Sequence, residues 1–140
     1  MAVINGTVIN DSPTVVFPAN AAITGAPCKA AKLNASGKVV LAGAGEAALG
    51  IIVASDDENI AAGQDVNIQV KDIGMWEAGE AIKAGDLLAC DKDGKAVKAT
   101  ASSYIMGTAL SNASAAGTRI RVQITKSGYV YSGSVLPIGG

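Results

Sequence analysis

The 140 residues contain no histidine, so the commonest general base and the commonest metal ligand are both missing. Cys28 and Cys90 stand far apart, with no Cys-x-x-Cys spacing and no Cys/His cluster. Such cysteines read as small buried thiols, and spacing does not decide whether they pair. The one acidic run, Ser55-Asp56-Asp57-Glu58-Asn59, lacks the alternating oxygen ligands and the turn glycine of a calcium loop. Asp91-Lys92-Asp93-Gly94 starts like such a loop, but the bidentate glutamate that should close it is not there. Asp-Gly is simpler as a hairpin turn. The carboxylate pairs Asp86 with Asp91 and Glu77 with Glu80 sit in turn contexts that need no catalysis. No nucleophile lies beside a base, and no glycine-rich loop precedes a helix that would hold phosphate. The expectation is a protein that is not an enzyme, with no cofactor and no metal site.

Charge and hydropathy exclude further classes. Net charge is −1 and the basic residues are scattered singly, so there is no electrostatic footprint for nucleic acid. No apolar run approaches the roughly 18 residues of a membrane helix. The first residues lack the basic-then-apolar layout of a secretion signal, so use without secretion is expected. Hydrophobic residues are 49% of the chain but aromatics only 4%. The core must therefore be built from Val, Ile, Leu and Ala, which suits one modest domain.

The elements that position these residues are short and β-prone. Ser36-Gly37-Lys38-Val39-Val40-Leu41-Ala42 aligns with Asp93-Gly94-Lys95-Ala96-Val97-Lys98-Ala99, an offset of 94 − 37 = 57 residues. The offset runs on to Leu49-Gly50-Ile51-Ile52 over Met106-Gly107-Thr108-Ala109. A three-residue deletion then sets Ala62 to Val70 over Ala116 to Ile124. The shared order of turn, strand, glycine-kinked strand, turn and strand marks an internal duplication. Val66, Ile68 and Val70 alternate with polar residues, as a half-buried strand does. Beyond Asp72 the apolar phase passes to Ile73 and Met75, which predicts a β-bulge near Asp72-Ile73-Gly74. One helical turn at Glu46-Ala47-Ala48 is the most helix the glycine-rich stretch allows.

The reading is an all-β protein, a compact β-barrel or β-sandwich, with duplicated units at about 23–70 and 82–125 inside a domain of 23–125. Residues 1–22 form an N-terminal arm or edge strands, since Pro13 and Pro18 lack an amide donor. Residues 126–140 form a C-terminal arm. Trp76, the one tryptophan, reads two ways: an interface anchor, where Trp is enriched, or a plug of the core or a subunit seam. The interface residues expected from the arms and Trp76 are Val8, Ile9, Val15, Val16, Phe17, Trp76, Tyr129 and Tyr131. Arg119 and Arg121 lie on the polar face of the last strand.

Small residues, two uncharged arms and low charge density favour packing on other protein. The runs Gly37-Lys38-Val39…Gly45-Glu46-Ala47-Ala48-Leu49-Gly50-Ile51, Ala62-Gly63-Gln64-Asp65-Val66 and Ala84-Gly85-Asp86-Leu87-Leu88…Asp93-Gly94-Lys95-Ala96-Val97 resemble the capsid cement, or head decoration, proteins of tailed bacteriophages. The resemblance covers roughly residues 23 to 124 and rests on turn-and-strand pattern. It implies a homotrimeric structural virion protein, made in the host cytoplasm, that binds the major capsid protein on the capsid exterior and stabilises the shell. The proline- and asparagine-rich start and tyrosine-rich tail depart from the pattern. They leave as alternatives the base or anchor of a head fibre, with a fibre protein as partner, and a carbohydrate-binding β module that meets a host-surface glycan.

Overall fold

The structure, a computed structural model, describes residues 12–54 and 57–130. Strands run in chain order as Thr14–Pro18 (β1), Ile23–Thr24 (β2), Ala30–Leu33 (β3), Val39–Leu41 (β4), Gly50–Ile52 (β5) and Asn59–Ile60 (β6). There follow Asp65–Gln69 (β7), Asp72–Glu77 (β8), Leu87–Cys90 (β9), Ala96–Lys98 (β10), Tyr104–Ala109 (β11) and Arg119–Tyr129 (β12). The fold is all-β, with no helix among the described residues. Glu46-Ala47-Ala48 is irregular rather than a helical turn, because the Glu46 carboxylate folds back onto the Gly43 amide (2.6 Å) instead of leaving a helical ladder.

Two five-stranded antiparallel sheets carry the molecule, in the orders β1-β7-β5-β3-β4 and β8-β12-β11-β9-β10, beside a two-strand ladder of β2 and β6. The two orders correspond strand for strand, and so do the registers. Ala31 pairs with Gly50 as Leu88 pairs with Gly107, and Leu33 with Val39 as Cys90 with Ala96. Ile52 pairs with Ile68 as Ala109 pairs with Val122. Phe17 opposes Val66 as Trp76 opposes Ile120. The hairpin turns repeat too: the Asn34 side chain caps the amides of Ser36 and Lys38, and Asp91 caps those of Asp93 and Lys95, all at 2.8–3.0 Å.

Each sheet curls around its own apolar cluster. One gathers Ala31, Val39, Ile52, Val66 and Ile68, with Val15 and Phe17 packed against it. The other gathers Trp76, Leu88, Met106, Ile120 and Val122. A single parallel bridge joins the ends of each sheet, Ala19 to Val39 and Ala78 to Ala96. One bridge is not a ladder, so the domain is sandwich-like and no barrel closes. Residues 14–18 form a strand at one edge of the first sheet, paired with β7.

The expected bulge at Asp72-Ile73-Gly74 is instead the passage between sheets. β7 ends at Gln69 in the first and β8 starts at Asp72 in the second. Asp72 takes a left-handed φ of 67°, and the Gln69 amide holds the turn by donating to the carbonyls of Lys71 (2.9 Å) and Ile73 (2.8 Å). Gly74 and Trp76 point inward while Ile73 and Met75 are exposed. At Gly50 and Gly107 the opposing carbonyls of Gln69 and Gln123 occupy the place a Cβ would take. Only glycine admits so close a strand.

Candidate interaction surface

Alternation along a strand sends neighbouring side chains to opposite faces, and in β3 and β5 of the first sheet both faces are covered. Ala31 and Ile52 fill its own cluster, while Ala30 and Ile51 pack against the second unit. The seam between units is polar as well as apolar. The Gly94 carbonyl accepts from the Ala30 amide at 2.7 Å and from the Trp76 indole at 2.9 Å. The Cys28 carbonyl accepts from the Glu77 amide at 2.8 Å, and the Cys90 carbonyl from Gly45 at 2.9 Å. Glu77 receives Lys29 at 3.1 Å and Lys95 at 3.5 Å. Lys29 is buried, and its ammonium also donates to the Gly25 carbonyl at 2.6 Å.

Both thiols belong to this interior. Cys28 and Cys90 are free and buried. Burial raises the Cys28 thiol above its ordinary range. Burial, with Asp91 and Glu46 nearby, pushes Cys90 up to about 12. A thiol so disposed is an inert filler and not a nucleophile. Glu46, hydrogen-bonded by Lys32 (2.8 Å) and the Gly43 amide, is held below the usual carboxylate range. Asp91-Lys92-Asp93-Gly94 is a hairpin turn, and Ser55 and Asp56 of the acidic run lie outside the described residues. Glu58 of that run pairs with Arg119 at 3.4 Å.

The interface residues expected from sequence part company here. Trp76 has no accessible surface and plugs the second cluster at the seam. Val15 and Phe17 lean on the first cluster. Val16 is 50% exposed and Tyr129 65% exposed, with the Tyr129 ring edge-on to Tyr104 at 5.1 Å. Val8, Ile9 and Tyr131 lie outside the described residues.

Sequence reading named Val16 but missed Val53, Met75 and Leu110, which with it make two apolar rows on the outer faces. Val16 of β1 lies beside Asn67, whose carbonyl takes the Val53 amide at 3.0 Å. Met75 of β8 lies beside Arg121, whose carbonyl takes the Leu110 amide at 2.8 Å. Val16, Val53, Met75 and Leu110 are all exposed. The two rows sit at corresponding positions of the two sheets, with Asn67 central in one and Arg121 central in the other. The sequence signal was the 57-residue offset itself, which sets Val53 over Leu110. Repeated apolar rows with polar centres are suited to docking on another protein surface, and offer no constellation for bond-making.

Against known proteins, residues 16–124 match the model of a family described as phage cement protein, and the chain belongs to that family. No curated protein sequence matches it. Among solved structures it is similar to the head fiber gp8.5 N base of bacteriophage phi29, with a TM-score of 0.63 and 21% identity. That match covers 85% of this chain and 98% of the phi29 chain, and it shows a shared fold. The protein is a phage structural protein.

Proposed function

We propose that this family member is a capsid decoration protein that binds the outer surface of a phage shell, contacts the major capsid protein, and stabilises the shell as a homotrimer without doing chemistry. The family match over residues 16–124 carries this reading. The outer apolar rows supply its physical means. Val16 with Val53 and Met75 with Leu110 present two similar patches on one domain. Two modest contacts held on one body, and repeated around an oligomer, give avidity without any single tight site. Filled shells strain at subunit junctions, and a clamp across them opposes separation.

The test uses particles lacking the protein, with purified chain added back. Binding and a higher temperature of genome release are expected. The Val16→Lys/Met75→Lys variant changes only exposed positions, so it should fold yet fail to bind. Unchanged shell stability on saturating addition of the unaltered protein would reject the clamp.

A second reading, the base of a head fibre, is favoured by the fold shared with the phi29 head fiber base over nearly all of that chain. Micrographs of decorated shells separate the two. A low cap fits a cement, and a projecting fibre fits a base.

A further inference from the structure

The seam between the two units of one chain is not a twofold contact. In a twofold seam each element would be used twice, once from either side. Here the Gly94 turn of the second unit docks on Ala30 of the first. The corresponding turn of the first unit, at Gly37, is open among the described residues, none of which lies within 4 Å of where its Cβ would stand. Leu87, which corresponds to Ala30, is 50% exposed rather than buried. The contact is head-to-tail, and the described residues leave one head and one tail of each chain unused.

We infer that a second copy of this chain covers these faces: the Leu87 face of one copy docks on the Gly37 face of the next, repeating between molecules the seam that joins the two units within one. The residues on the two open faces suit each other. In the places where the first unit buries Ala42 and Ala48 beside Ala30 stand Ala99, whose amide donates to the Leu87 carbonyl at 2.8 Å, and the half-buried Ile105. The places of Cys90 and Met106 are taken in the first unit by Leu33 and Leu49, which lean on the first cluster and stay half-buried. Charge is rearranged in step. Within the chain, Lys29 and Lys95 meet on Glu77. Their counterparts on the open faces are Asp86, Lys38 and Pro18. The buried cation has become an anion, the shared anion has become neutral, and the second cation is kept, so Asp86 of one copy would meet Lys38 of the next. A head-to-tail contact that repeats either closes into a ring or runs on as a filament. This inference concerns contacts between copies, and shell binding by a monomer would leave it refuted while the decoration role stood.

The test reads self-association and orientation together. Ser36→Cys and Leu87→Cys are made as separate proteins, mixed, and treated with a short bis-maleimide; the buried native thiols do not compete. Cross-links between the two variants and not within either alone are expected. Sedimentation should show Leu87→Glu weakening association by about tenfold or more, as loss of an interface anchor does. Asp86→Lys should weaken it and Asp86→Lys/Lys38→Asp restore it. Association of the unaltered chain that survives Leu87→Glu, self-linking of Leu87→Cys alone, or a monomer at the concentrations that saturate shells would each overturn the inference.

Discussion

Trp76 and Gly94 are joined by a 2.9 Å hydrogen bond from the indole to the turn carbonyl, and that same carbonyl takes the Ala30 amide at 2.7 Å. One oxygen therefore ties the bottom of the second core to the hairpin tip and to the first unit. The turn needs glycine there: φ is +77°, and a Cβ would stand 2.8 Å from the Ala30 carbonyl oxygen.

Trp76→Ala should cost about 3–5 kcal/mol, the usual loss for a large buried aromatic. Trp76→Phe keeps much of the packing, and removes the donor with part of the ring. It should cost less, about 1–2 kcal/mol, because Gly94 still receives Ala30. Urea unfolding followed by circular dichroism measures both, and a Trp76→Phe loss near zero would show that the indole N–H contributes nothing.

Gly50→Ala and Gly107→Ala should each destabilise far more than Gly63→Ala. All three add one methyl group, but at the first two it meets the carbonyl of a paired strand. Gly63 has open space and only its φ of +80° to strain, worth about 1–2 kcal/mol. Thermal melts of the three variants give the ranking.

The thiols set an alkaline limit. Cys90 stays protonated in the fold until about pH 12, whereas an unfolded cysteine ionises near 8.5. Above that lower value the unfolded chain releases a proton that the folded chain keeps, so stability should fall as pH rises from about 9 towards 12. Cys90→Ala should flatten the slope. Ellman's reagent should react with neither thiol at pH 8 until denaturant is added.

Glu46 acts at the other end of the scale. Its folded value is lowered by Lys32, so its contribution is present above the ordinary carboxylate range and lost as pH falls through the folded value. The pair is well exposed, at 35% and 43% for the two side chains, and screening keeps the effect below about 1 kcal/mol. Glu46→Gln should lower stability slightly at pH 7 and not at all at pH 2.

Deletions at the N-terminus should divide at Ser12. Removing residues 1–11 leaves every described strand, and the Ser12 hydroxyl bond to the Lys71 carbonyl (3.1 Å), in place. Removing residues 1–18 takes away β1 and Phe17, and should lower the melting temperature by several degrees. Because β1 also carries the exposed Val16, a loss of shell binding by the longer deletion alone would combine loss of a docking row with loss of a core strand.

Much of this protein was legible in its residues. Turn glycines and short aliphatic runs point to an all-β protein, and the 57-residue spacing that aligns Gly37 with Gly94 is the spacing at which Ala31–Gly50 and Leu88–Gly107 pair. Turns are read easily because their chemistry is local: an asparagine or aspartate cap and a left-handed glycine suffice. Trp76 was ambiguous because a core and an interface ask the same of a side chain, namely a large apolar surface and one hydrogen bond. Only the position of the Gly94 carbonyl assigned it to the core. Likewise nothing in Thr-Val-Val-Phe-Pro resembles Ile-Gly-Met-Trp-Glu, yet β1 and residues 73–77 of β8 hold corresponding places beside β7 and β12. Backbone ladders choose partners by hydrogen bonds that every residue type carries. The side chains of such strands need only keep their inward alternation, so the kinship lies in the pairing and not in the letters.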